Sequence, residues 1–327
     1  MRWAIRTFNS DSVPLSIVII NVKGKQYLAA LLNSILQSSY TNFEVIVVDD
    51  QNLSIDDQRV KVVKIAEDKG VAYCRNLGVK NSTGKFILFL DNDTVLEKDT
   101  LEKFIDYMLS KDKNDTIVQL KLLKPDRKID AAGGLLDDLG YPIELMKGKD
   151  EDCLKNDLEV IYAKGAAMGL SRELAYEIGL FDEKYFYGYE ETDLCYRAKK
   201  MGKKVLALSI GNVIHKEHGS FSGTDTKREY RLTFFLESRR LYFVFKNFDS
   251  ITLIKIAPRL AFYFVGSIAK DILNGRFHFA KAKIKAIGWF VLQLGHISKI
   301  RIKQRGTFRI NEEDLVRTGL LKRYKLK

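Results

Sequence analysis

The chain has 327 residues, of which 46% are hydrophobic, 29% are charged and only 4 are prolines, a composition that excludes a disordered protein and fits one large domain with an appendage or two modest domains. Its three cysteines, Cys74, Cys153 and Cys195, form no C-x-x-C pair, which argues against a disulfide framework or a thiolate zinc site and favours a reducing compartment. The formal net charge is +12.

The positive charge is concentrated in the last third of the chain. Residues 224–327 contain 23 Lys and Arg against 8 Asp and Glu, whereas residues 1–223 contain 31 against 34. The N-terminal segment MRWAIRTFNSDSVP has no apolar run of the kind that an export signal needs. We therefore expect the active domain to face the cytoplasm and the C-terminal third to have its own partner.

Strand and helix patterns alternate from residue 15 to residue 93. Buried strands are predicted for the apolar runs LSIVIIN, FEVIVVDD, VKVVKIA and FILFLDND, and helices for the segment from Leu28 to Leu36 and for VAYCRNLGVKNS. This alternation predicts an α/β fold with a mostly parallel sheet, which binds its ligands at the carboxyl ends of the strands. Two of the four strands end in aspartates at that edge.

Beyond residue 115 the pattern is looser. TIVQLKLL and DLEVIYA predict strands, LSRELAYEIGL predicts a helix, and Gly133-Gly134 and Gly140-Tyr141-Pro142 predict turns. The chain has no internal repeat that would indicate a solenoid or a propeller.

The segment Asp91-Asn92-Asp93 ends the fourth predicted strand. A turn at this point can direct both carboxylates toward one ligand. Mg²⁺ or Mn²⁺ held by one or two carboxylates and completed by phosphate oxygens is the usual arrangement when the ligand is a diphosphate. The alternative is a polar turn in which Asp93 or Thr94 caps a helix that begins near Leu96.

Four blocks of the sequence, in order and at similar spacing, resemble those of family-2 glycosyltransferases, most closely the rhamnosyltransferase-like members. The blocks are LSIVIINVKGKQYLAALLNSILQSSYTNFEVIVVDDQN, GVAYCRNLGVKNSTGKFILFLDNDT, AKGAAMGLSRELAYEIGLFDEKYFYGYEETDLCYRAKKMG and VIHKEHGS. The resemblance implies a GT-A fold, in which a Rossmann-like nucleotide-binding sheet with helices on both faces is fused to an acceptor-binding half. It also implies a transfer that inverts the anomeric carbon.

The resemblance covers roughly residues 15–220, and together with the charge distribution it predicts the domain organisation. We expect a catalytic domain over residues 1–223, with a nucleotide-sugar half at about 14–115 and an acceptor half at about 116–223. Residues 224–327 would form a basic, helical C-terminal region.

The resemblance assigns five residues to the nucleotide-sugar site. Asp50 matches the aspartate that reads the base edge, and Arg75 matches an arginine that contacts the diphosphate or the base. Asp91, Asn92 and Asn21 belong to the same site. The first loop reads NVKG where the family commonly has N-Y-N-G, so it lacks the aromatic residue that often packs near the nucleotide. The alternatives are a strand-terminating turn for Asp50 and a solvated helix charge for Arg75.

The general base is assigned to Glu191 in YGYEETDLCYR, at a position where the family often has Asp. An inverting transfer needs a carboxylate there to remove the proton of the acceptor hydroxyl. Glu190 would support the acceptor site. Acidic residues also favour a helix N-terminus whatever the function, and both interpretations can hold together.

The remaining assignments concern the metal and the acceptor. Asp93 and His215 match metal ligands, and the imidazole favours Mn²⁺ over Mg²⁺. His218 is a competing candidate for the histidine. Gly165 and Ala166 match a small-residue segment close to the donor sugar and the acceptor, although tight packing would select the same residues.

The C-terminal region has two apolar stretches, LAFYFVGSIA and AIGWFVLQLGHIS, among basic residues. Each is shorter than a membrane-spanning helix needs, and Pro258 interrupts the first. Basic helices with apolar faces suit peripheral contact with an anionic membrane surface. Helices that pack on the core are an equal alternative, and nucleic acid ranks third because no recognition fold accompanies the charge.

Together these observations predict an enzyme that transfers a sugar from a UDP-, dTDP- or GDP-linked donor. The acceptor would be a hydroxyl of a lipid-linked glycan or polysaccharide at the cytoplasmic face of the cell membrane. Two other classes remain open: a nucleotide-sugar-binding protein without turnover, and a sugar nucleotidyltransferase, whose glycine-rich basic signature is absent from NVKGK.

Overall fold

The computed structural model describes residues 14–22, 25–51, 53–110, 113–216, 225–304 and 306–324. Its strands are β1 (Leu15–Asn21), β2 (Phe43–Asp49), β3 (Val60–Lys64), β4 (Phe86–Asp91), β5 (Thr94–Leu96), β6 (Thr116–Leu123), β7 (Ile129–Ala131), β8 (Gly134–Asp137), β9 (Pro142–Glu144), β10 (Leu158–Glu159), β11 (Ala167–Ser171), β12 (Lys204–His215) and β13 (Leu321–Lys322). Its α-helices are α1 (Lys25–Leu36), α2 (Val71–Lys80), α3 (Thr100–Leu109), α4 (Arg172–Ile178), α5 (Glu190–Lys200), α6 (Thr226–Asn247), α7 (Ser250–Leu273), α8 (Phe277–Gln304) and α9 (Glu312–Arg317).

A ten-stranded sheet organises the molecule, in the order β10-β12-β6-β11-β4-β1-β2-β3, with β5 paired to β12 and β7 paired to β6. Strands β4, β1, β2 and β3 are parallel neighbours. Strand β11 is antiparallel to both β4 and β6 and joins this parallel part to the rest of the sheet. The predicted α/β fold is therefore confirmed, with the parallel strands confined mainly to the first half of the chain.

Both faces of the parallel strands are buried, which explains their uninterrupted apolar sequences. On β1, Val18 faces one apolar core and Ile17 and Ile19 face the other. Helix α2 contributes Ala72 to the first core, and α1 contributes Leu31 to the second. The helices thus cover opposite faces of the sheet, as expected for this fold class.

A buried ionic network centred on Asp193 joins α5 to α6. Its Oδ1 accepts hydrogen bonds from the Tyr185 hydroxyl at 2.9 Å and from Asn247 at 2.8 Å. Its Oδ2 accepts from Arg197 at 2.8 Å and from Lys246 at 3.0 Å. Burial raises the pKa of Asp193, but the nearby Lys246 and Arg197 outweigh burial and hold it well below its usual range.

The C-terminal helices share a core with the sheet rather than standing apart from it. On α8, Trp289 packs edge-on against Tyr242 and Phe290 packs against Phe245, both on α6. Strand β13 extends the small sheet formed by β8 and β9. The predicted boundary at residue 223 lies outside the described residues, and the division into domains stays a prediction.

Helix α7 corrects one expectation about the C-terminal region. Pro258 lies inside this 24-residue helix and does not interrupt it. The proline ring removes the hydrogen bond to the carbonyl of Ile254, which lies on an exposed face of the helix. Within the described part of the chain, α7 is the single helix long and apolar enough to cross a membrane by length and composition.

We predict that Asp193→Ala lowers the free energy of unfolding by about 3 to 5 kcal/mol, because it leaves Lys246 and Arg197 buried without their common carboxylate. Urea unfolding followed by circular dichroism measures the loss. The control is Glu313→Ala, which breaks an exposed ion pair with Lys255 and should cost less than about 0.5 kcal/mol. Equal losses for the two variants would contradict a dominant role of the Asp193 network.

Candidate functional site

The ends of three parallel strands bring polar side chains together at one edge of the sheet. Asn21 at the end of β1 pairs in register with Asp49 at the end of β2, and β4 ends at Asp91 beside them. Asn21 donates to Asp49 at 2.7 Å and accepts from Asn92 at 3.0 Å. Of the five predicted donor residues, Asn21, Asp91 and Asn92 therefore lie together at one edge.

Asp49 and Asp50 have different surroundings. Asp49 is fully buried, and its Oδ2 accepts from the backbone N–H groups of Gln51 and Leu53, both at 2.9 Å. Asp50 is partly exposed and lies near Cys74 on α2. Burial of the Cys74 thiol, together with the nearby carboxylates of Asp68 and Asp50, raises the pKa of that thiol to about 12. Asp49 shapes the loop from which Asp50 projects, and the predicted base contact of Asp50 stays a prediction.

A cluster of possible metal ligands forms where β4, β5 and β12 meet. One ligand atom from each of Asp91, Asp93 and His215 lies within 4.8 Å of the others. Strand β5 pairs with β12 so that Thr94 is opposite His215, which brings residues from distant parts of the sequence together. Because Thr94–Leu96 is a strand and the next helix begins at Thr100, the alternative of a helix cap at Asp93 or Thr94 is wrong.

Asp130 on β7, which the sequence analysis missed, holds the imidazole of His215. Its Oδ2 lies 3.0 Å from Nδ1, while Nε2 faces Asp93 at 3.4 Å. Burial lowers the pKa of His215, but hydrogen bonds to Asp130 and Asp93 outweigh burial and raise it to about 10. A carboxylate on one ring nitrogen is a common way to orient a histidine that binds metal through the other, so these residues fit a divalent cation.

Arg75 is buried at the centre of the site and makes two ion pairs. Its guanidinium lies 3.1 Å from Glu190 at the start of α5 and 3.5 Å from Asp91 at the end of β4. Gly165 packs against it so closely that an added Cβ would lie 2.0 Å from Nη2. The carbonyl of Ala166 accepts a hydrogen bond of 3.4 Å from the Asp91 backbone N–H. The ion pairs of Arg75 are therefore with carboxylates, and its predicted contact with a diphosphate or base stays a prediction.

The carboxylates of Glu190 and Glu191 lie side by side at the N-terminus of α5. Burial and the charge of Glu191 raise the pKa of Glu190 well above its usual value, although Arg75 opposes the shift. Glu191 is only partly buried, but its Oε2 is enclosed and accepts no hydrogen bond from the described residues. The Oε2 of Glu190 is enclosed in the same way, so each of the two adjacent carboxylates has a buried oxygen that accepts no hydrogen bond from the described residues, which is unusual.

The structure brings together most of the predicted site residues. It also adds Asp130, which the sequence did not indicate. Asp130 lies in the short apolar segment IDA, with no motif around it. Its alternation between the apolar residues Ile129 and Ala131 was the one available signal. His218, the competing metal candidate, lies outside the described residues.

Comparison with known proteins gives a family match over part of the chain. Residues 16–172 match the model described as glycosyl transferase family 2. The putative teichuronic acid biosynthesis glycosyltransferase TuaG of Bacillus subtilis is 29% identical over 107 residues, covering 30% of this chain and 42% of that protein. The UDP-Glc:alpha-D-GlcNAc-diphosphoundecaprenol beta-1,3-glucosyltransferase WfgD of Escherichia coli is 32% identical, with the same 30% and 42% coverage.

A longer match is to the amylovoran biosynthesis glycosyltransferase AmsB of Erwinia amylovora, 27% identical over 216 residues, which covers 60% of this chain and 67% of that protein. Among solved structures, GalNAc-T7 with UDP, GalNAc and Mn²⁺ has a TM-score of 0.53 and 18% identity and covers 82% of this chain and 58% of its own. Residues 1–349 of S. aureus TarS give a TM-score of 0.50 and 17% identity, covering 96% and 94%. These likenesses establish the fold alone.

The mixed sheet, with its acidic strand ends and C-terminal helices, defines a GT-A protein. Through residues 16–172 the chain belongs to glycosyl transferase family 2, and the predicted family is confirmed. The rhamnosyltransferase-like subgroup stays a prediction.

We predict that Mn²⁺ affinity rises about tenfold per pH unit between about pH 6.5 and pH 8, because the imidazolium of His215 must lose its proton to bind a metal. The sign follows from the raised pKa of about 10, which keeps the ring protonated throughout this range. Calorimetric titration in buffers of different ionisation enthalpy should detect release of about one proton. His215→Gln should bind Mn²⁺ more weakly and lose this slope, whereas the exposed His296→Gln should retain it.

Proposed function

We propose that the protein is an inverting glycosyltransferase that uses a nucleoside diphosphate sugar and a divalent metal. The observation that carries the proposal is the convergence of Asp91, Asp93 and His215 at the strand ends, with Glu190 and Glu191 joined to the same cluster through Arg75. A metal-binding group and a candidate base therefore share one site. The family match supports transfer of a glycosyl group.

The donor is proposed to bind along the edge formed by Asn21, Asp91 and Asn92, with Asp50 reading the base. Buried Arg75 holds Asp91 in place and contributes positive charge close to the diphosphate. A UDP-, dTDP- or GDP-linked hexose or rhamnose is the proposed donor. Among the relatives, WfgD is named as using UDP-Glc, which supports a uridine diphosphate sugar as the first donor to test.

The proposed metal ligands are Asp93 and His215, with Asp91 close enough to take part. A bound Mn²⁺ or Mg²⁺ would neutralise charge on the departing diphosphate. Asp130 keeps the imidazole oriented by holding its Nδ1. The imidazole favours Mn²⁺, since nitrogen ligands suit it better than Mg²⁺.

Glu191 is the proposed general base. Its enclosed Oε2, which has no hydrogen-bond donor among the described residues, can accept the proton of the acceptor hydroxyl as that oxygen attacks. Glu190 also has an enclosed Oε2, but it differs from Glu191 in that its Oε1 accepts a hydrogen bond from Arg75 at 3.1 Å. Two adjacent carboxyl groups with unlike surroundings can divide the roles of base and support in this way.

The acceptor is proposed to enter beside Gly165, Ala166 and Glu190, of which Gly165 and Glu190 contact Arg75. We propose a lipid-linked or glycan acceptor at the cytoplasmic face of the cell membrane. The relative WfgD is named for a diphosphoundecaprenol-linked acceptor, and TuaG and AmsB for teichuronic acid and amylovoran biosynthesis, which supports this class.

We predict that a screen of nucleotide sugars with Mn²⁺ and no acceptor will detect slow release of a nucleoside diphosphate from one or a few donors. Asp93→Ala should lower this release at least about a hundredfold, because it removes a metal ligand. Asp152→Ala, an exposed aspartate away from the cluster, is the matched control. Full activity of Asp93→Ala after chelation of all metal would contradict the proposed mechanism. Release of pyrophosphate from a nucleoside triphosphate would instead support a nucleotidyltransferase.

We predict that Glu191→Gln lowers kcat for the donor found in that screen by about a hundredfold to ten-thousandfold, with donor affinity changed less than about threefold. The amide cannot accept the proton of the acceptor hydroxyl, whereas the donor is bound by other residues, so turnover should fall while donor binding persists. The exposed Glu173→Gln is the control. Unchanged turnover by Glu191→Gln would exclude Glu191 as the base, and donor binding without turnover by the wild type would favour a non-catalytic binding protein.

A further inference from the structure

Helix α7 has an apolar face that no other described residue covers. Ile251, Ile254, Phe262, Val265 and Leu273 are each 65% to 86% exposed. They recur at intervals that keep them on one side of a helix, and the buried residues Ile256, Leu260 and Phe264 lie on the opposite side. The exposed residues are therefore not the packing face of α7.

Helix α8 continues this apolar surface. Phe277, Ile284, Val291, Leu292 and Ile302 are each more than half exposed, while Ala282, Ala286 and Phe290 are buried. Leu273 and Phe277 flank the turn around Gly275, which makes the two exposed faces neighbours at the hairpin end. Among described Ile, Leu, Val and Phe residues, Leu109 is the only other one that is more than half exposed.

Ion pairs and hydrogen bonds attach α7 and α8 to each other and to the rest of the protein. Asp271 on α7 pairs with Lys283 on α8 at 2.6 Å, so the helices run side by side. Arg259 on α7 pairs with Asp138 at 2.6 Å, and Arg301 on α8 donates to the carbonyl of Phe248 at 2.5 Å. The two helices are therefore attached to the protein, and their apolar faces point outward from this attached helical hairpin.

The charge of the hairpin identifies what would cover it. From Ser250 to Gln304 the sequence has ten Lys and Arg and a single acid, Asp271, which is buried and paired. Lys281, Lys285 and Lys299 are exposed on α8 beside the apolar face. An apolar stripe with flanking cations matches a bilayer surface that contains anionic lipid, whereas a second copy of the same face would be repelled.

We propose that the exposed faces of α7 and α8 form a membrane-docking surface that lies in the plane of an anionic lipid bilayer. Helix α7 does not cross the bilayer, because its opposite face packs through Ile256 and Leu260 and its Arg259 is paired to Asp138. The inference rests on the proposed function in that docking would bring the active site to a lipid-linked acceptor. The transfer reaction itself requires neither this surface nor its contact with lipid.

The test is co-sedimentation of the full chain with vesicles of phosphatidylcholine alone and with about 30 mol% phosphatidylglycerol. The wild type should bind the anionic vesicles, and added salt should weaken binding. Phe262→Glu/Val265→Glu and the neutral Phe262→Ser/Val265→Ser should both bind at least about tenfold more weakly, because both lose the apolar anchor. Leu109→Glu, with the same kind of change on α3, should bind as the wild type does.

Circular dichroism and light scattering separate binding from folding and association. The substituted residues are exposed, so both double variants should keep the wild-type melting temperature and a monomeric mass. Wild-type failure to bind anionic vesicles, or equal binding by the double variants, would overturn the proposal. A wild-type dimer that the double variants convert to a monomer would also overturn it, in favour of an interface between copies. Acceptor-free donor hydrolysis should be unchanged in these variants, so its absence would count against the proposed reaction and not against membrane docking.

Discussion

The site depends on a buried arginine that joins two separate parts of the fold. Arg75 pairs with Asp91 at the end of β4 and with Glu190 at the start of α5. A buried cation is costly unless carboxylates and hydrogen bonds compensate it, so the strand end and the helix start must stay close together. Gly165 supplies the space for this contact, because any side chain at that position would meet the guanidinium.

The same arrangement explains why neighbouring acids have different properties. Glu190 and Glu191 are adjacent in sequence, and Asp193 follows two residues later on the same helix. Asp193 turns inward to Lys246 and Arg197 and is held ionised, whereas the pKa of Glu190 is raised by burial and by Glu191. The three acidic residues at the N-terminus of α5 therefore have different surroundings. Asp193 fixes α6, and Glu190 holds Arg75 through one of its oxygens. The other oxygen of Glu190 and one oxygen of Glu191 accept no hydrogen bond from the described residues.

Much of the first half of the fold could be predicted because its signals are local. Apolar runs marked β1, β2 and β4, and the acids at their ends indicated the edge where Asn21 and Asp91 lie. Contacts between distant segments were not accessible in this way. Asp130 is 85 residues from His215, and only the pairing of β6 with both β7 and β12 brings the two side chains together. The pairing of β5 with β12, which excluded a helix cap at Asp93, is another such contact.

The C-terminal helices carry the clearest difference between sequence composition and structure. From the sequence, core packing and membrane contact were equal alternatives for the two apolar stretches, since composition does not say which face of a helix is covered. Each helix has one buried and one exposed apolar face: Phe264 and Phe290 are buried against the protein, while Phe262 and Leu292 are exposed on the other side. Packing therefore accounts for only some of the apolar residues. The exposed ones would be costly to keep in water on a monomer, and the excess of lysine and arginine beside them favours an anionic bilayer over a second protein.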